Sequence, residues 1–119
     1  MDVVVRASVH KTENVDKVRS ALLNIFPELE LDIKDNEIKG RTSSISKFKE
    51  LLRLQKIREA AKSVLLSAKR GSKLEFKLSK QVAFIGKVNF ITDERPPLGS
   101  IEVSIAAENI EEVIEELTA

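Results

Sequence analysis

Cysteine is absent from the 119 residues, as are tryptophan and tyrosine. The first absence excludes disulfides, thiolate chemistry and any cysteine-ligated metal. The second leaves five phenylalanines as the only aromatics, so the core must be built mainly from Val, Ile, Leu and Ala. Only one histidine occurs, His10, and the four glycines (Gly40, Gly71, Gly86, Gly99) stand apart, so no phosphate-cradling glycine loop is present. No apolar run approaches the roughly 20 residues needed to span a bilayer. Met1-Asp2-Val3 shows no basic start followed by an apolar stretch, so no signal peptide is visible. A soluble cytoplasmic protein of one domain (residues 1–119) is expected, long enough to bury a core without staples.

What is abundant is charge, at 33% of residues, a Lys- and Glu-rich bias that resembles heat-adapted proteins. The net charge of +1 conceals a separation along the chain. Residues 47–87 carry twelve basic and three acidic side chains, a net of +9. Residues 88–119 carry one basic and eight acidic, a net of −7. Asymmetry on this scale says more about partners than the total does.

In chain order, Val3–Val9 is β-branched and reads as a strand. Val15, Val18, Leu22 and Ile25 then recur at helical spacing, with Thr12 or Asn14 as caps and Pro27 as the stop, placing a helix at about 14–26. Leu29–Lys34 alternates apolar and charged residues, and Asp35-Asn36 turns it into a partner strand, 37–41. Ser43 or Ser44 can cap a long basic helix over 45–69. Its two apolar stripes, Ile45/Phe48/Leu51/Leu52 and Ile57/Ala61/Val64/Leu65/Ala68, are rotated from each other by well over 90° at 100° per residue. With no Gly or Pro between them, one helix packing on two surfaces is favoured over a break near 53–56.

Gly71 is expected to close this helix in a left-handed conformation. Lys73–Ser79 and Val82–Ile91 read as a hairpin, the second strand apolar on both faces. Residues 92–99 read as an exposed turn, 101–105 as the last strand, and Asn109 with Glu112 as the capping box of a final helix. The order β-α-β-β-α-β-β-β-α predicts an α+β, two-layer sandwich with helices on one face of a mainly antiparallel sheet.

No catalytic signature emerges. A general base at His10 would need an orienting partner and a concave site, and a lone histidine at a strand end is commonly a surface or capping group. The acidic last helix spreads its carboxylates along one exposed face and does not converge them on a cation. Neither an enzyme nor a cofactor, metal or small-molecule substrate is expected. The basic segment is the stronger signal, since Lys and Arg hold a phosphate backbone largely without regard to sequence. Arg53, Lys56, Arg58, Lys62, Arg70, Lys80 and Lys87 are the candidate nucleic-acid contacts. Set against them is the plainer reading of a solvated lysine-rich face, or one neutralised by the acidic C-terminal part. Self-association as a homodimer is the third reading. The phenylalanines sit in core phase, so binding would proceed through backbone and shape, as for structured RNA, and not through base stacking.

Residues 51–65 (Leu51-Leu52-Arg53-Leu54-Gln55-Lys56-Ile57-Arg58 onward), Leu78 to Phe90, Pro97 to Val103, and Asn24-Ile25-Phe26-Pro27 together resemble an uncharacterised archaeal family of small proteins. The resemblance covers nearly the whole chain. It implies a fold similar to that of ribosomal protein L five, which contacts ribosomal RNA, and kinship with predicted RNA-binding, exosome-associated proteins. It carries over no site residue, so the candidates above rest on charge.

Overall fold

The structure is a computed structural model and describes residues 1–92 and 99–119. Among the described residues there are seven strands and five helices, in the order β1 (Asp2–Ser8), α1 (Val15–Ile25), β2 (Glu30–Lys34), β3 (Glu37–Thr42), α2 (Ser46–Leu54), α3 (Arg58–Ser67), β4 (Lys69–Arg70), β5 (Lys73–Ser79), α4 (Lys80–Phe84), β6 (Phe90–Ile91), β7 (Ser100–Ala106) and α5 (Ile110–Thr118). The expected turn over 92–99 lies mostly outside the described residues.

The strands form one antiparallel sheet in the order β2-β3-β1-β7-β5-β4, with β6 also paired to β5. Alternation fixes which face is covered. Val3, Val5 and Ala7 of β1, Leu74, Phe76 and Leu78 of β5, and Ile101, Val103 and Ile105 of β7 are buried, while Arg6, Glu75, Lys77 and Glu102 are exposed between them. The helices cover the apolar face, and the other face is bare: the expected two-layer α+β architecture. Phe26, Phe48, Phe76 and Phe90 gather between the layers, with Phe48 within 5.4–6.2 Å of the other three ring centroids. All five phenylalanines are at least partly buried, so no exposed aromatic platform exists. Among the described residues no helix is long and apolar enough to cross a membrane.

Local signals place most elements as expected. Asn14 and Asn109 cap α1 and α5, accepting from the amides of Asp16 and Glu112. Asp35 takes φ of 52° in the β2–β3 turn. Gly40 is buried on β3, where an added Cβ would lie 2.8 Å from the Leu31 side chain and 3.0 Å from that of Leu29.

Four expectations fail. The 45–69 helix is two helices, because Lys56 enters the left-handed region at φ of 56°. The amide of Ile57 donates to the Leu52 carbonyl and that of Lys56 to Arg53, the paired bonds of a Schellman stop with lysine where glycine is usual. Each half then buries its own stripe, Phe48, Leu51 and Leu52 in α2 and Ala61 and Leu65 in α3. Ile45, and not Ser43 or Ser44, holds the cap position of α2 and makes no side-chain cap bond, while Ser44 Oγ accepts from the Ser46 amide at 3.5 Å. Gly71 serves the tight β4–β5 turn instead of ending a helix. Val82–Ile85 is not a strand: Ser79 caps α4 by accepting from the Val82 amide, and only Phe90–Ile91 pairs with β5. Four consecutive apolar residues fit a buried helical turn as well as a strand.

Gly40→Ala should lower stability by about 1–3 kcal/mol through overpacking against Leu29 and Leu31, measured by urea denaturation. Lys56→Gly should raise it by about 1 kcal/mol by relieving the left-handed backbone. A destabilising Lys56→Gly would show that the turn is held by the lysine side chain.

Candidate nucleic-acid interface

The break at Lys56 governs where the cations fall. A second Schellman stop ends α4, with Gly86 at φ of 77° and the Lys87 amide donating to the Val82 carbonyl. Gln55 ties the two stops together. Its side-chain Nε2 donates to the Val88 carbonyl at 2.9 Å, and its Oε1 accepts from the Val88 amide at 2.7 Å. Lys87 is thereby fixed beside the Arg53–Lys56 turn. Arg58 opens α3 and Lys62 follows one turn later on the same side. The N-terminus of α3, with its partial positive charge, lies in the same place. Arg53, Lys56, Arg58, Lys62 and Lys87 are all exposed.

The acidic helix α5 packs against α2 and α3, the arrangement that favours neutralisation. It runs antiparallel to α3. Glu111 near its start pairs with Lys69, and the Ala119 carbonyl beyond its end accepts from Arg58 at 2.8 Å. The hydrogen bond from Lys69 and its charge hold the Glu111 carboxyl below its ordinary range. Neutralisation stops there. Arg53, Lys56, Arg58, Lys62 and Lys87 form no ion pair with any described residue, the Arg58 bond being to a carbonyl.

Two candidates fall outside the cluster. Arg70 lies at the far end of α3, its guanidinium turned onto the Ser67 and Lys69 carbonyls. Lys80 is fully buried and cannot contact a nucleic acid at the surface. Its Nζ donates to the Ser8 carbonyl at 2.6 Å and to Glu13 Oε1 at 3.0 Å. It thus anchors α4 to the loop after β1. Burial alone would raise the Glu13 pKa, but the His10 amide, the Lys80 hydrogen bond and the charges of Lys80 and His10 outweigh it, and the pKa falls below its ordinary 4.5. His10 Nε2 lies 4.0 Å from Glu13 Oε1, too far for a hydrogen bond to orient the ring.

The bare sheet face offers other cations that charge counting passed over, legible only from strand register. Lys39 stands opposite Asp32, Arg41 opposite Glu30, and Lys77 and Arg6 both opposite Glu102. A concavity of about 450 Å³ there is lined by Arg6, Ser8, His10, Glu37, Lys77 and Glu102 among others, with both charge signs represented. This face is balanced. The helical surface around the two stops gathers five exposed cations, Glu59 being the acidic residue set among them in sequence.

An open antiparallel sheet of seven strands with helices on one side makes this an α+β protein, and the comparisons give its family. A family profile described as "RNA binding" matches residues 2–107. The chain is 42% identical over 119 residues to a UPF0201 protein of Methanocaldococcus jannaschii, covering 96% of this chain and 68% of that protein. It is 38% identical to a UPF0200/UPF0201 protein of Archaeoglobus fulgidus, of which it spans only 34%. The crystal structure of a UPF0201 protein from Methanococcus jannaschii superposes with a TM-score of 0.92 at 40% identity, covering both chains fully. The crystal structure of another UPF0201 protein gives 0.92 at 33% identity, over 99% of this chain and 93% of that one. The chain belongs to the archaeal UPF0201 family.

Lys80→Met should destabilise by about 3–5 kcal/mol, because it leaves the Glu13 carboxylate buried without its cation. Adding Glu13→Gln should recover a large part. The depressed Glu13 pKa contributes stability that is present above 4.5 and lost as pH falls through the folded value. Glu13→Gln should therefore flatten the acid side of the stability–pH curve, measured by thermal melts; an unchanged acid side would remove Glu13 as its cause.

Proposed function

We propose that the protein is a non-catalytic, cytoplasmic factor that binds structured RNA through Arg53, Lys56, Arg58, Lys62 and Lys87. The observation that carries this reading is the cluster itself: five exposed cations around two helix stops, none of which forms an ion pair with a described residue. The family description, RNA binding, supports it independently. Contact is with phosphates and helix shape, since no exposed aromatic is available to stack on a base. No cofactor is needed for such binding. A second reading, a dimeric scaffold without RNA, draws support from the free edge of the sheet at β2.

Binding to a structured RNA, followed across a salt series, tests the first reading. The logarithm of the binding constant should fall linearly with the logarithm of salt, by roughly 0.7–0.9 per phosphate contact. Changing Lys56, Arg58 and Lys62 together to Glu should flatten the slope by about two to three units and abolish binding at moderate salt. Absence of binding at low salt, or an unaltered slope in the triple variant, contradicts the reading.

A further inference from the structure

The sheet has two edges of different kinds. On one side β4 and β6, each two residues long, divide the edge of β5 between them. On the other side β2 offers five consecutive residues, Glu30–Lys34, that pair only with β3. No further backbone or side-chain hydrogen bond from the described residues reaches this strand. Four of its five residues are exposed. Among them is Ile33, which shares the apolar face of the sheet with Ile38 opposite it yet remains 38% exposed, because the helices do not reach the edge.

Exposed edges are templates for pairing, and proteins commonly blunt them with charge. Here the charges differ in sign along the strand, which changes their effect on a second copy. In an antiparallel pair of two β2 strands centred on Ile33, the two Ile33 side chains meet. Asp32 of each copy stands opposite Lys34 of the other, giving two opposite-charge pairs related by the twofold axis. Asp32 and Lys34 lie 3.8 Å apart with side chains 68% and 81% exposed, and stand opposite Lys39 and Glu37 of β3 without a closer ion pair to either, contacts that contribute little in water. Both are free to turn across an interface.

We infer that β2 is a self-association edge, and that its occupant is β2 of a second copy in antiparallel register about Ile33. The twofold axis of such a pair is perpendicular to the sheet. The two sheets join into one, and both helical layers remain on the same side. Two copies of the basic surface would then face one ligand. The inference does not rest on RNA binding, and its test is separate.

Sedimentation equilibrium on the intact chain, with circular dichroism to confirm folding, tests it. The wild type should show a concentration-dependent monomer–dimer equilibrium. Asp32→Lys sets like charges opposite each other twice per dimer, and Lys34→Asp does the same with the other sign. Each single variant replaces two matched cross-strand pairs with two like-charge pairs and should weaken the dimer roughly tenfold or more. The double variant Asp32→Lys/Lys34→Asp restores the matched pairs and should return the dimer to near wild-type strength. A wild type monomeric at its highest soluble concentration overturns the inference and leaves the edge to another protein's strand. A dimer indifferent to the single variants, or a double variant as weak as the singles, overturns the interface and its register.

Discussion

The structure depends on a constraint of geometry: a sheet covered on one face accepts a helix only if the helix points its apolar stripe at that face. Between Ile45 and Ala68 the stripe rotates too far for one straight helix to satisfy it. The chain resolves the conflict at Lys56 by entering the left-handed region and restarting as α3 two residues later. Ile57 then both donates to the Leu52 carbonyl and packs against the core. The stop is held from outside as well, because Gln55 clamps the backbone of Val88 with both its amide atoms. The same device that settles the packing brings Arg53, Lys56, Arg58 and Lys87 to one place.

Charge that is separated in sequence is only partly rejoined in space. The acidic C-terminal part divides between the layers: Glu102 of β7 meets Arg6 and Lys77 on the bare face, and Glu111 of α5 meets Lys69. Neither reaches the turn at Lys56. A net count over residues 47–87 therefore overstates the basic surface, and complete neutralisation would understate it. Lys80 shows the other hazard of counting. It was removed from the surface by Glu13, a partner 67 residues earlier, and nothing in its immediate neighbours sets it apart from Lys77 or Lys87.

The elements legible in the sequence are those with local punctuation. Asn14 and Asn109 cap their helices, Pro27 follows α1, and Asp35-Asn36 turns β2 into β3. The alternation in β5 and β7 marks the covered face residue by residue. What was not legible lacked such marks. The stop at Lys56 uses a residue that ordinarily continues a helix, and the rotated stripes were its only trace. Val82–Ile85 has no periodicity to read in four residues, although Ser79 three positions ahead of the Val82 amide was a usable cap signal. The clamp by Gln55 is a long-range contact with no sequence signature.

We propose that RNA meets the surface around the two helix stops and not the bare sheet face. Backbone amide NMR of the wild-type protein titrated with a structured RNA tests it most directly. Shifts should concentrate at residues 53–62 and 86–88, with Arg6, Lys39, Lys77 and Glu102 unmoved. Shifts gathered on the bare face of β1, β3, β5 and β7, or no shifts at low salt, would contradict it.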